Sequence, residues 1–303
     1  MSSPRRDYPD LHDHIEALDK AGLLVTVNEP VDKDSEMHAL VRWQFVGGLK
    51  ESERRAFLFK NVVNAKGRKY ELPIVVGALA ANQDIYSIGM GVPVEGIGKK
   101  WDDAIANPID PVVIKEAPCH EVIIEDEALL GEGCGIDSLP IPVSTPGFDA
   151  APTLTSTNVV TQDPETGVQN MGTYRAALKA SDRMVVRMAT RVGGAGGYAH
   201  YKKHQARGDK KMPVAIVLGC PPTVAFMGPQ KLPLDMDEVG VAGGLAGAPI
   251  NLVKARTVDL LVPAESELVI EGVIDTEMVE PEGPFGESHG HVALEEFNMP
   301  MQV

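Results

Sequence analysis

The 303-residue sequence predicts an α/β N-terminal domain over residues 1–115 and a β-rich domain, a barrel or sandwich, over 116–303. Three observations predict it. Helical and strand-like periodicities alternate through the first hundred residues. From His120 the pattern changes to short apolar runs separated by Pro and Gly, and Asn107-Pro108 and Asp110-Pro111 break the helical pattern between the two textures.

The elements follow in order. Asp10 is a predicted N-cap, Leu11, Ile15 and Leu18 recur at helical spacing, and Gly22 stops that helix before a strand over 23–27. A second helix is expected near 35–46, with strands over 56–59 and 73–76. A Gly-punctuated stretch from Gly89 to Gly98 leads into a helix over 99–106. In the second half, strands are predicted over 120–125, 153–161, 214–218, 250–254, 258–262 and 267–274. The end, 292–303, has neither a closing helix nor a polar tail and reads as cut.

Charge narrows the function. With 28 Lys+Arg against 43 Asp+Glu, the formal charge is −15, which argues against nucleic acid or an anionic membrane as partner, since either requires clustered Lys and Arg. No apolar run reaches the roughly 18 residues of a membrane span. The N-terminus carries two arginines without an apolar stretch behind them, so no secretory signal is read and the cytoplasm is expected. Cys119, Cys134 and Cys220 are odd in number and form no C-x-x-C pair, which predicts reduced thiols.

Three segments can carry chemistry. Gln169 to Arg175 follows a turn over 163–167, and Arg175 can clamp a carboxylate bidentately. Glu282-Gly283-Pro284-Phe285-Gly286-Glu287 sets two carboxylates on a turn; one can orient an arginine and stay ionised while the other, in a drier pocket with a raised pKa, donates a proton. Arg191 to Tyr198 is rich enough in glycine for backbone N–H groups to approach a phosphate, yet it is neither G-x-G-x-x-G nor a Walker loop. Taken singly, the three also fit a surface arginine, an acidic loop and a flexible linker.

Taken together with Arg187 to Gly194, Leu218-Gly219-Cys220-Pro221-Pro222, Asp237-Glu238 and Asp259 to Ala264, the segments resemble the UbiD family of prenylated-flavin-dependent (de)carboxylases, in the family's order and over nearly the whole chain. The resemblance implies an N-terminal α/β domain followed by a split β-barrel like that of flavin reductases, which binds FMN, with the family's C-terminal domain missing. It implies a non-oxidative, reversible decarboxylase or carboxylase of an aromatic or α,β-unsaturated carboxylic acid. Arg175, Glu282 and Glu287 match the catalytic set: Arg175 orients the carboxylate, Glu282 positions Arg175, and Glu287 donates the proton.

Asn170, Thr173, Tyr174, Arg175, Arg187, Met188, Ala189, Val192, Gly193 and Glu238 match cofactor-contacting positions, and Asn170 and Glu238 match the metal ligands. The implied cofactors are prenylated FMN and a divalent metal, manganese, with potassium as a companion ion. The implied partners are a flavin prenyltransferase that supplies the cofactor, and either further copies of the chain in a dimer or larger assembly or a completing subunit.

Two departures stand out. Arg191 takes the place of a metal-binding histidine, and His200 and His204, one helical turn apart, either compensate or form a solvated pair. The chain is also shorter than family members, which predicts a fragment or a partner subunit. Two other readings stay open. Gly283, His289, His291 and Glu295 fit a cupin-like pattern that would put Glu287, His289 and His291 on one strand face and make a metal-dependent oxygenase or isomerase. A non-catalytic subunit of a decarboxylase assembly would also keep the motifs.

Overall fold

The computed structural model describes residues 6–190, 195–233, 236–287, 290–294 and 296–303. Its first helix, Leu11–Lys20, starts where the sequence places it: the Asp10 carboxylate accepts the Asp13 N–H at 2.9 Å and Asp13 accepts the Asp10 N–H at 3.2 Å, so two orphan donors are satisfied reciprocally. The expected strands follow as a three-stranded sheet in which Leu24–Val27 runs parallel to Ala56–Phe59 and Ile74–Val76 antiparallel to it. Helix Met37–Val46 buries Met37 and Val41 against Phe59 and Val62. The sequence reading missed helix Gln83–Met90, which Asn82 caps by accepting the Ile85 N–H at 2.7 Å.

The two halves share one core. Met90 and Ala104, the latter from helix Ile97–Ala106, pack in one cluster with Val241 and Leu245 from helix Glu238–Ala246. The helices approach closely at Gly244, where a Cβ would sit 2.9 Å from the Ala104 Cα. Strand Val112–Ile114 pairs in parallel with Asn251–Lys254, so these three residues share a sheet with the second half of the chain.

The second half is dominated by a nine-stranded sheet. Its path runs Gln169–Gly172, Asn158–Gln162, Lys211–Leu218, Leu268–Asp275, Phe297–Gln302, Arg183–Val186, Ala176–Ala180 and Thr153–Leu154, every neighbour antiparallel, with Glu280–Pro281 beside Phe297–Gln302. The expected barrel is not closed: among the described residues the two end strands do not pair. Helix Gly196–Arg207 contributes Tyr201 to the core, with Val159, Ile216, Met299 and Met301.

One further expectation is corrected. Residues 120–125 form no strand; Val122 and Ile124 are exposed, because a β-branched run becomes a strand only where a neighbour accepts its ladder. Residues 292–303, to which the sequence reading assigned no strand, contain the interior strand Phe297–Gln302, with Met299 and Met301 buried. Pro300 conceals it, since proline is normally kept out of interior strands. Among the described residues no helix is long and apolar enough to cross a membrane. All three cysteines are free thiols, as expected.

Candidate active site

Arg175 lies immediately before strand Ala176–Ala180, and its carbonyl accepts the Arg187 N–H at 2.9 Å from the neighbouring antiparallel strand. The sheet thus brings two arginines side by side. Glu282 follows the short strand Glu280–Pro281, and its N–H bonds to the Glu296 carbonyl at 2.8 Å. This pairing sets the carboxylate beside Arg175. Arg175 Nε and Nη2 donate to Glu282 Oε1 and Oε2 at 2.6 and 2.8 Å, a bidentate pair, while Nη1 donates to Glu287 Oε1 at 2.5 Å. The Phe285 ring covers the guanidinium, 4.3 Å from Cζ.

Burial separates the two carboxylates in the opposite sense to the one expected, since the arginine-orienting Glu282 and not Glu287 takes the drier place. The Glu282 side chain is 2% exposed, with Asn298 Nδ2 donating to Oε2 at 2.8 Å, whereas that of Glu287 is 25% exposed and faces the cleft. Burial alone works against the charge on Arg175, but hydrogen bonding and attraction from Glu282, and then Glu287, outweigh it and raise its pKa further. The guanidinium is a permanent cation.

A second cluster forms where Gln169–Gly172 meets the start of helix Glu238–Ala246. Asp237 caps that helix by accepting the Val239 N–H at 2.9 Å, which turns Glu238 inward under the Met171 N–H. The Asn170 carboxamide and Glu238 Oε1 meet at 3.2 Å: with its nitrogen turned toward Glu238 the amide donates to it, and with its oxygen there two acceptors face one another as ligands of a cation do. Burial pushes the Glu238 carboxyl up to about 7, so a nearby positive charge is the natural complement of its ionised form.

Both clusters line one cleft of about 1200 Å³. Arg175, Glu287, Asn170, Thr173, Tyr174, Arg187, Ala189 and Glu238 line it, and Glu282 stands behind Arg175. The Met188 side chain is instead buried in the core of the sheet. Arg191, Val192 and Gly193 lie outside the described residues, as do His289 and Glu295.

The cupin-like arrangement is corrected by a hairpin. Phe285–Gly286 pairs antiparallel with Val292–Ala293, and the Glu287 N–H bonds to the His291 carbonyl at 2.8 Å, so Glu287 and His291 stand on opposite arms and do not share one strand face. No group of three metal-ligating side chains occurs among the described residues. His200 and His204 are not a solvated pair: both are buried, with Nδ1 of His200 2.9 Å from Thr161 Oγ1 and that of His204 2.9 Å from Asp209.

Burial pushes His200 down to about 4, which makes it a probe of the fold. Its imidazole stays neutral in the folded protein, whereas the unfolded chain takes up that proton near its ordinary value of about 6.5. The resulting stability is present above pH about 6.5 and is lost as pH falls toward about 4. Urea midpoints measured across that window are expected to fall with pH in the wild type and to fall less in His200→Gln; parallel curves would remove His200 as the source.

Sequence reasoning missed several groups. Glu296 accepts Arg187 Nε at 2.6 Å and lies 3.7 Å from Arg175 Nη2, bridging the two arginines, and its pKa is lowered chiefly by the Arg187 bond. Asn298 and the cleft-facing His38 and Arg42 of helix Met37–Val46 were also unforeseen. None carries a local signal, since each is brought to the site by pairing across the fold.

With this geometry in view, the similarities to known proteins are informative. The UbiD family model of the 3-octaprenyl-4-hydroxybenzoate carboxy-lyase Rift-related domain matches residues 112–302, and that of the carboxy-lyase N-terminal domain matches residues 15–105. An uncharacterized protein of Synechocystis sp., sll0936, is 32% identical over 93% of this chain and 57% of its own length. The UbiD-class enzyme HmfF of Pelotomaculum thermopropionicum, in complex with FMN, superimposes with a TM-score of 0.85 at 29% identity, over 97% of this chain and 61% of HmfF. An evolved dimeric form of HmfF, in complex with prenylated FMN, gives the same TM-score and identity over 97% of this chain and 64% of that one. Vanillic acid decarboxylase of Sedimentibacter hydroxybenzoicus, in its closed form, gives 0.84 at 26% identity over 99% of this chain and 62% of the enzyme. The chain therefore spans about three fifths of the length of these relatives.

Proposed function

Because this chain belongs to the UbiD family, we propose that it is the site-bearing part of a reversible, non-oxidative decarboxylase of an aromatic or α,β-unsaturated carboxylic acid that works with prenylated FMN. The observation that carries the reading is Arg175 held on two sides by Glu282 and Glu287 in the wall of the cleft. The open nine-stranded sheet is read as the family's split barrel, with residues 116–303 supplying the catalytic groups and residues 1–115 the facing wall at His38 to Val46.

Each side chain then has a task. Arg175 draws in the substrate carboxylate, and the Glu282 pair holds its planar fork in one orientation. Glu287, the more exposed of the two carboxyls, carries the proton that the product receives where the carbon dioxide leaves. Prenylated FMN, when bound, supplies the electron sink that no side chain can. Thr173, Tyr174, Arg187 and Ala189 would hold it against the sheet. Asn170 and Glu238 would hold a divalent cation such as Mn²⁺, with K⁺ as a companion, with the Asn170 amide turning its oxygen in place of its donating nitrogen toward Glu238. Two copies of the chain or a completing subunit would finish the assembly, and a flavin prenyltransferase would supply the cofactor.

The test is mass and absorbance analysis of small molecules released from the protein after expression beside a flavin prenyltransferase, with turnover assayed on a panel of aromatic and cinnamic-type acids. Prenylated FMN near one per chain and carbon dioxide release from at least one acid are expected. No bound flavin would overturn the reading.

A further inference from the structure

The loop that carries Glu287 is clamped by a turn far away in sequence. Asp149 Oδ2 accepts the Thr145 N–H at 2.7 Å and closes the turn on itself, while Oδ1 reaches across to accept the Gly286 N–H, also at 2.7 Å. One residue further, the Ala150 N–H bonds to the Pro284 carbonyl at 2.9 Å. The loop is thus tied on both sides of Phe285, whose ring covers Arg175.

Packing reinforces the hydrogen bonds. A Cβ at Gly286 would lie 2.4 Å from Thr145 Oγ1, and one at Gly283, where φ is +88°, would lie 2.6 Å from the Ala150 Cβ. Both glycines are needed because the turn fills the space their side chains would occupy. Gly286, the residue before Glu287, is held at both its N–H, which donates to Asp149 in a charge-assisted bond and hence a stronger one, and its carbonyl, which accepts from Thr145 Oγ1 at 3.5 Å. The Glu287 N–H is fixed in turn by the His291 carbonyl at 2.8 Å.

We propose that Asp149 is a positioning residue: by holding the Gly286 N–H it sets the direction in which Glu287 leaves the backbone, and so keeps its carboxyl within reach of Arg175 and of the substrate carbon. Asp149 bonds to the loop and not to the Arg175–Glu282 pair, so its effect falls on the arm that carries Phe285 and Glu287. The catalytic consequence rests on the decarboxylase reading given above; the structural one does not. A misplacement of about 1 Å in a reacting group can cost about 100-fold in rate.

The experiment compares wild type, Asp149→Ala and Asp149→Asn after loading with prenylated FMN. Asp149→Ala is expected to lower kcat by at least about 10-fold with KM and bound flavin little changed, and its crystal structure to show Glu287 Oε1 withdrawn from Arg175 Nη1 by roughly 1 Å or more. Asp149→Asn keeps one acceptor oxygen but turns an N–H donor toward the other amide, so a smaller fall in kcat is expected. Unchanged kcat with Glu287 still on Arg175 would overturn the proposal. So would a loss of kcat that only follows loss of flavin in both variants, which would make Asp149 merely structural. If the wild type decarboxylates nothing, the functional reading fails, and the Glu287–Arg175 distance in the variants still decides the role of Asp149.

Discussion

Glu287→Gln is expected to lower decarboxylation by about 100- to 10,000-fold, the range that a positioned proton donor contributes, while prenylated FMN stays bound. The substitution is nearly isosteric, and the amide oxygen can still accept from Arg175 Nη1, which Glu287 Oε1 does at 2.5 Å. What it removes is the transferable proton. The side chain is 25% exposed and faces the cleft, so no core is disturbed and the melting temperature should stay close to that of the wild type. Flavin content, thermal unfolding and turnover measured on one preparation check all three statements. Unchanged turnover would remove Glu287 from the mechanism and leave proton delivery to another group.

The largest loss of stability is expected from Arg175→Ala. Glu282 is 3% exposed, and without the guanidinium Asn298 alone among the described residues would remain to donate to its carboxylate. Stranding a buried charge in this way costs about 3–5 kcal/mol, against a total stability of about 5–15 kcal/mol for a typical protein. Removing the carboxylate as well should recover part of that loss, because the stranded charge and not the missing contact is the main penalty. Arg175→Ala/Glu282→Gln is therefore expected to melt above Arg175→Ala, with both variants inactive. An Arg175→Lys variant should fold better than the alanine form yet stay inactive, since one ammonium cannot reproduce a fork that binds Glu282 at two nitrogens and Glu287 at a third. Equal melting of Arg175→Ala and wild type would mean that Glu282 escapes its charge, by protonation or by reaching water.

Much of the candidate site was legible because residue types survive in a linear reading. Arg175, Glu282, Glu287, Asn170 and Glu238 were singled out from motif content, and all five meet at or behind one cleft. Met188 shows the limit of that reading, because it belongs to a matching run but turns its side chain into the core. The histidines show another. His200 and His204 look like one exposed helix face, yet each is buried against a different partner, Thr161 and Asp209. Glu296 was missed because its partner Arg187 lies 109 residues away and no local pattern marks it.

The sequence by itself determined what short-range physics controls. The Asp10–Asp13 capping box, the glycine stop at Gly22, the change of texture after Pro111 and the residue types of the candidate site all depend on neighbours within a few residues. Tertiary structure alone decided pairing. Residues 122–124 have the composition of a strand and form none, while Phe297–Gln302, interrupted by Pro300, lies inside the sheet because Leu268–Asp275 and Arg183–Val186 flank it with compatible register. The same holds for the site, where Arg175 reaches Glu282 across 107 residues and Asp149 reaches Gly286 across 137. Whether such groups meet depends on long-range ladder formation and burial, which no window of neighbouring residues contains.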